Sequence, residues 1–222
     1  MPWIQPMAGA GFPPTGELGW QTGRHLATAA FRWFFPATAS GSHHVPPEGP
    51  LVVAANHYSH LDPVMVGIGV RRSTRFLAVD ELFGRSAFFD NLTLWLGSIP
   101  LTRTRVPLGA LRTSLAHLEA GGSVAVFPEG VRVWTWGEID PPKRGAAWLA
   151  RRVGAPLLPV AVAGSDQALG RGTTRVARRP MHVAVCEPIL PGDFDQSPDP
   201  LGEMMAAWRQ RVDAGLRSVY ER

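Results

Sequence analysis

Six short apolar runs, most of them separated by stretches of helical length, constrain the fold more than any other feature of the sequence. Repeated alternation of a strand-length run with a helix is typical of an α/β sheet layered with helices. We therefore predict a single α/β domain in which a mixed, mostly parallel sheet is flanked by helices. The predicted strands are residues 51–55, 75–79, 98–101, 124–127, 157–163 and 182–186.

Two of the helical stretches have clear boundaries. Residues 107–120 begin with proline, carry four leucines at helical spacing and stop before Gly121. Residues 201–216 carry methionines, a tryptophan and a valine on one face in the same way. In folds of this class ligands bind at the loops that follow the strand ends, so those loops are the place to look for a site.

The first 45 residues differ from the rest, and we expect 1–45 to form an N-terminal extension and 46–222 the main domain. Residues 1–15 are rich in proline and glycine, and an amphipathic, aromatic helix is predicted between them and Pro36. Tryptophan and arginine favour a bilayer interface, so the helix is expected either to lie on a membrane or to cover the domain's own core. The residues in question are Trp20, Arg24, Leu26, Phe31, Arg32, Trp33, Phe34 and Phe35.

Basic charge in this chain is carried almost wholly by arginine, since Lys143 is the only lysine among 22 Lys and Arg residues. Guanidinium groups keep their charge and bind phosphate bidentately, which favours phosphate-bearing partners, although ordinary surfaces with arginine in place of lysine would give the same composition. The cluster of arginines at 171, 175, 178 and 179 is expected to face an anionic membrane. No stripe of arginines interleaved with aromatic residues occurs, so we predict no nucleic-acid partner.

Three features predict a cytoplasmic protein. No apolar run approaches the roughly 20 residues of a membrane-spanning helix, and the N-terminus lacks the basic start and apolar middle of a signal peptide. Cys186, the single cysteine, has no partner for an intramolecular disulfide, which fits a reducing compartment.

The segment AANHYSHLD places His57 and Asp62 in the loop after the first predicted strand. A histidine acts as a general base when one ring nitrogen faces the substrate and the other is held by a partner, and Asp62 is a suitable partner. Taken alone, the pair favours a structural histidine that caps the loop. His60 has no carboxylate at the same spacing and is interpreted as a loop residue. Asn56 is predicted to form the turn, and Ser59 either to do the same or to contact substrate.

Later strand ends carry further polar groups. Arg103 follows the strand 98–101, and Glu129, Gly130 and Arg132 follow the strand 124–127. Charges in such loops are often simply solvated, but several on parallel strands suggest a convergent polar pocket. The arginines would hold phosphate, and Glu129 would accept hydrogen bonds from hydroxyl groups or fix an arginine.

Four blocks of this sequence resemble a known family in their family order. NHYSHLD is similar to the first block of the glycerolipid and lysophospholipid acyltransferases, the enzymes related to bacterial 1-acyl-glycerol-3-phosphate acyltransferase. GSIPLTR, FPEGVR and LLPVAVAG resemble the second, third and fourth blocks. PPKRGAAWLA resembles the basic helix start that follows the third block.

The resemblance implies transfer of a fatty acyl group from acyl-CoA or acyl carrier protein to the hydroxyl of a lysophospholipid, with 1-acyl-glycerol-3-phosphate converted to phosphatidate. His57 would be the general base and Asp62 its orienting acid, with no acyl-enzyme and with Ser59 not acting as a nucleophile. Arg103 and Arg132 would bind the acceptor phosphate, and Glu129 and Gly130 would shape its glycerol site. No metal is implied, because the histidines do not pair with other carboxylates or with cysteine at a recognised ligand spacing. No cofactor is implied either, because the acyl carrier is a co-substrate.

Two departures from the family pattern keep the acceptor open. Val131 stands where the third block has Thr or Ser, and two tryptophans follow it in VWTWGEID. The alternatives are another lysolipid or a glycolipid as acceptor, or a catalytically silent lipid-binding member of the same fold. A lipid acceptor lives in a bilayer, so we expect the protein to bind peripherally to the inner face of the cell membrane.

Overall fold

The computed structural model describes residues 16–79, 99–101 and 108–220. Its strands are β1 (Ala37–Ser40), β2 (Leu51–Ala55), β3 (Thr74–Val79), β4 (Ile99–Leu101), β5 (Ser123–Val126), β6 (Leu157–Ala163) and β7 (Met181–Val185). Its helices are α1 (Gly16–Phe34), α2 (Asp62–Val70), α3 (Leu108–Glu119), α4 (Gly145–Val153), α5 (Ser165–Leu169) and α6 (Pro200–Tyr220). Short 3₁₀ turns occur at Ser42–His44 and Pro191–Phe194.

The strands form one sheet in the order β1-β7-β6-β2-β5-β3-β4. Only β6 and β7 pair antiparallel, and the other neighbours in this sheet are parallel. Strand β2 lies at the centre, where Val53 pairs with Ala125 of β5 and with Leu158 of β6. The prediction of an α/β domain with a mixed, mostly parallel sheet is therefore confirmed.

Helices cover both faces of the sheet, which is why the central strands read as continuous apolar runs. One face packs against α4 and α6, with Leu149 and Trp208 among its fully buried side chains. The other face packs against α2 and the residues around the end of α1, with Met65 and Phe35 in the core. The Trp208 indole N–H donates to the carbonyl of Ala54 at 2.8 Å, so even the largest core side chain is hydrogen-bonded.

The loops that carry most of the predicted site residues lie at one edge of the sheet. The parallel strands β2, β5 and β6 end at this edge, and their following loops begin with Asn56, Phe127 and Gly164. Because β7 is antiparallel to β6 and β1 is parallel to β7, both of these strands start at the same edge. The C-terminal end of α1 and the loop 170–180 therefore lie there too, which the hydrogen bond from Met181 N to Pro36 O shows directly.

Each of the six predicted strands overlaps an observed strand, and the predicted helices at 107–120, at 201–216 and before Pro36 are confirmed. Strand β1 was not predicted, because ATAS has no apolar run or alternation. It adds an edge strand to the sheet from within the segment that we expected to be an N-terminal extension. None of the helices in the described ranges is long and apolar enough to cross a bilayer.

Candidate active site

Asp62 is the fixed point of the loop that joins β2 to α2. Its side chain is fully buried, and Oδ2 accepts hydrogen bonds from the backbone N–H groups of Tyr58 and Ser59, each at 2.7 Å. The residue opens α2, where the positive end of the helix dipole favours a negative charge. Backbone geometry therefore holds a carboxylate at this position independently of any side-chain partner.

His57 completes the pair that the sequence predicted. Its Nδ1 lies 2.8 Å from Asp62 Oδ2. Since a carboxylate oxygen accepts hydrogen bonds, Nδ1 is the donor in this contact and Nε2 is left for another partner. The imidazole also stacks on the ring of Phe127, with centroids 4.0 Å apart and planes 16° apart. With 18% of its side chain exposed, His57 is oriented from two sides and still reachable.

Asn56 and Ser59 connect this loop to strand β6 and helix α5. The Asn56 amide donates to Val162 O at 2.8 Å and accepts from Val162 N at 2.7 Å, in a fully buried position. The Ser59 hydroxyl donates to Leu169 O at 2.6 Å and accepts from Leu61 N at 3.1 Å. Ser59 thus has the turn-forming role that the sequence left open beside substrate contact, whereas His60, the rival histidine, is exposed.

Residues 127–130 form a turn after β5, closed by the hydrogen bond from Gly130 N to Phe127 O. Proline in the second position and glycine in the fourth are typical of such turns. Gly130 has φ +73°, and a Cβ there would meet the end of the flexible Lys143 side chain, which would have to move. The left-handed backbone is therefore the main reason why this position favours glycine.

Glu129 lies buried within this turn, with 4% of its surface exposed. Burial raises the pKa of its carboxyl group to about 8; the backbone amide of His57 opposes this rise, and the charge of Asp62 adds to it. Among the described residues, no group forms a hydrogen bond of normal geometry with either carboxyl oxygen. The sequence correctly located Glu129 beside the pair, but it gave no indication of this burial.

Arg132 reaches the site through its neighbour. Val133 is buried, and its backbone N–H donates to the carbonyl of His57 at 2.8 Å, so the half-buried Arg132 adjoins the loop that carries His57. Arg103, the other predicted phosphate ligand, lies outside the described residues, two positions beyond the end of β4. Within the described ranges, no group of three His, Cys, Asp or Glu side chains is placed to hold a metal ion.

The tryptophan loop, residues 131–142, connects the core to the surface. Trp136 packs edge-on against the buried Trp208, with ring centroids 5.7 Å apart. Trp134 is 60% exposed, and the Arg171 guanidinium lies 5.4 Å from the centre of its ring. Sequence reasoning noted both tryptophans as departures from the family pattern but did not predict this division of roles.

Comparison with known proteins gives consistent results. The family model described as Acyltransferase matches residues 37–163, more than half of the chain. The 1-acyl-sn-glycerol-3-phosphate acyltransferase of Bacillus subtilis is 27% identical over 171 residues, which cover 76% of this chain and 82% of that protein. The human 1-acyl-sn-glycerol-3-phosphate acyltransferase alpha is 31% identical over 154 residues, which cover 67% of this chain but only 53% of that protein.

A solved structure shows the same fold. The chain superimposes on the 1-acyl-sn-glycerophosphate (LPA) acyltransferase PlsC from Thermotoga maritima with a TM-score of 0.75, covering 90% of this chain and 78% of that one at 24% identity.

Proposed function

The chain belongs to the acyltransferase family and is an O-acyltransferase, and from this premise we propose that it converts 1-acyl-glycerol-3-phosphate to phosphatidate. The acyl donor in this proposal is a thioester, acyl-CoA or acyl carrier protein. The names of the Bacillus and human relatives support the choice of acceptor. A second acceptor class, another lysolipid or a glycolipid, is favoured by the tryptophan loop, since Val131 and the two tryptophans depart from the family pattern.

The single observation that carries the proposal is the hydrogen bond between His57 Nδ1 and Asp62 Oδ2. It leaves Nε2 as the base, which takes the proton of the acceptor hydroxyl while the hydroxyl oxygen attacks the thioester carbonyl carbon. When the tetrahedral intermediate collapses, the C–S bond breaks and the thiolate leaves with the proton that the imidazolium held. Asp62 stabilises the imidazolium between these two steps.

Direct transfer without an acyl-enzyme is supported by the arrangement of Ser59. Its hydroxyl is buried and both donates and accepts hydrogen bonds within the loop, so it is not available as a nucleophile. We further propose that Arg103 and Arg132 bind the acceptor phosphate as guanidinium partners, with Glu129 and Gly130 beside them. No cofactor is needed in this scheme, because the thioester brings the acyl group.

We also propose that the protein binds peripherally to the inner face of the cell membrane through the edge that carries His57. Trp33 and Phe34, at the end of α1, are 84% and 46% exposed. Arg178 donates to the carbonyl of Phe34 at 2.8 Å, which joins the arginine cluster to these aromatic residues. Aromatic and basic side chains together favour an anionic lipid surface. In this orientation the acceptor lipid reaches His57 without leaving the bilayer.

The reaction is tested with purified protein, acyl-CoA and a panel of phosphate-bearing and uncharged lysolipids. His57→Ala is expected to lower turnover by roughly 10²- to 10⁴-fold, the usual contribution of a general base. His60→Ala, an exposed histidine in the same loop, is the matched control and should retain turnover. Undiminished turnover in His57→Ala would exclude the mechanism. No turnover by the unaltered protein with any acceptor, together with lysolipid binding, would favour a catalytically silent lipid-binding protein.

Membrane binding is tested by co-sedimentation with anionic and uncharged vesicles. Replacing Arg175 and Arg179 by glutamine is expected to weaken binding to anionic vesicles and to reduce its dependence on salt. Arg152→Gln is the control, since this exposed arginine lies in the last turn of α4 at the opposite edge of the sheet. Equal binding by all three proteins would contradict the proposed orientation.

A further inference from the structure

Glu129 is a buried carboxyl group beside the catalytic pair, and the described residues provide no partner that would neutralise it. It is 4% exposed, and among the described residues no group forms a hydrogen bond of normal geometry with either of its oxygens. The turn after β5 fixes its position against the backbone amide of His57. A carboxylate with no hydrogen bond of normal geometry and no paired cation is unfavourable in such a place, so burial favours the protonated form.

The charged groups on the surrounding elements reinforce this state. Asp62 at the start of α2 and Glu138 in the tryptophan loop are both acidic, and both raise the pKa of Glu129 beyond what burial alone does. Lys143, which precedes α4, lies against Gly130, but it is not among the described groups that shift the pKa of Glu129. The backbone amides of His57 and of Glu129 itself lower this pKa and so favour the ionised form.

We propose that Glu129 determines the affinity for the acceptor by remaining uncharged: its neutral form admits a phosphate-bearing acceptor, and its ionised form repels it. This inference rests on the proposed function, in which the acceptor phosphate lies near Arg132, three residues along the chain. An ionised Glu129 would place a second negative charge beside Asp62, and a phosphate would add a third. Like charges that share a site disfavour one another, so ionisation of Glu129 and binding of phosphate oppose each other. Glu129 is thus a specificity residue that works through its protonation state.

The test is the pH dependence of KM for 1-acyl-glycerol-3-phosphate between pH 6.5 and 9.5. One pH unit above the pKa, about ten in eleven molecules of a group are ionised, so the unaltered enzyme should show a rise in KM of about tenfold near pH 9 with a smaller change in kcat. In Glu129→Gln the ratio of KM at pH 9 to KM at pH 6.5 should fall towards one. Glu138→Gln removes an acidic group from the surface loop and should preserve most of the rise. With an uncharged monoacylglycerol as acceptor, KM should not rise with pH in the unaltered enzyme or in Glu129→Gln.

An equal rise in KM in Glu129→Gln, or the same rise with the uncharged acceptor, would overturn the inference. If no phosphate-bearing lysolipid is acylated at any pH, the proposed function fails instead, and a second measurement decides the state of Glu129. An infrared pH titration of the unaltered protein should show the carbonyl stretch of a protonated carboxyl group at pH 7 that disappears above pH 8. Its absence at pH 7 would contradict the inference whatever the acceptor.

Discussion

Replacing Asp62 by asparagine is expected to slow the enzyme without changing the tautomer of the His57 imidazole. Oδ2 accepts three hydrogen bonds, from His57 Nδ1 and from the backbone N–H groups of Tyr58 and Ser59. An asparagine NH₂ group in the place of Oδ2 would face two N–H donors, so the amide oxygen must occupy that position. His57 Nδ1–H then still has an acceptor, and Nε2 remains the base.

The magnitude follows from the loss of charge alone. A hydrogen bond to an ionised group contributes about 1–2 kcal/mol more than one to a neutral group, which is about 5- to 30-fold in turnover. In a Ser-His-Asp triad, where the same substitution forces the wrong tautomer, the loss is about 10⁴-fold. The asparagine NH₂ would occupy the place of Oδ1, which has no hydrogen-bond partner in the described structure. The free energy of unfolding should therefore fall by about 1–3 kcal/mol.

Three measurements check this reasoning. The rate of thiol release from the acyl thioester gives turnover, urea unfolding gives stability, and NMR of the His57 ring nitrogens gives the tautomer. Asp62→Ala, which leaves both backbone amides and Nδ1 without their acceptor, is the comparison and should be slower than Asp62→Asn. A loss near 10⁴-fold in Asp62→Asn, with the proton moved to Nε2, would refute the claim that the two amides fix the orientation.

Other predictions concern stability. The pKa of Glu129 in the folded protein is raised to about 8 from an ordinary value of 4.5. Its contribution to the free energy of unfolding is therefore fully present below pH 4.5 and is lost as the pH rises to about 8, by up to roughly 5 kcal/mol. Urea unfolding at pH 5 and 8.5 should show this loss, and Glu129→Gln should remove it. Gly130→Ala should destabilise by about 1–2 kcal/mol through its φ of +73°, as measured by thermal unfolding, whereas Gly67→Ala, at an open helical position, should not. Trp208→Phe should cost about 1–3 kcal/mol in urea unfolding because Ala54 O loses its donor, and an unchanged midpoint would show that this hydrogen bond contributes nothing.

Which features the sequence could predict depends on how far apart the contacting residues lie. Strands β2 and β6 are buried on both faces, and their continuous apolar runs predicted both strands with the observed bounds. Strand β1, in contrast, is held by its pairing with β7, over 140 residues away. His57 and Asp62 are five residues apart, so a local pattern sufficed to propose their contact. Long-range contacts leave no such pattern.

The contacts that hold the loop carrying His57 illustrate the same limit. Asn56 was expected to form a turn, but its partner Val162 is 106 residues away on a neighbouring strand. The stacking of Phe127 on His57 depends on the pairing of β2 with β5, which an isolated sequence does not specify. The burial of Glu129 arises in the same way, because residues from several segments exclude water from a turn that looks polar in the sequence.

The contact between the tryptophan loop and the loop that carries His57 is made by backbone atoms, Val133 N and His57 O. A backbone amide is supplied by every residue except proline, so the bond places little demand on which side chains the loop carries. Residues such as Trp134 can therefore be exchanged during evolution, or in an engineered library, while the base stays in register. The molecule thus separates what fixes the position of the imidazole, which is backbone hydrogen bonding, from the side chains that the tryptophan loop presents at the surface.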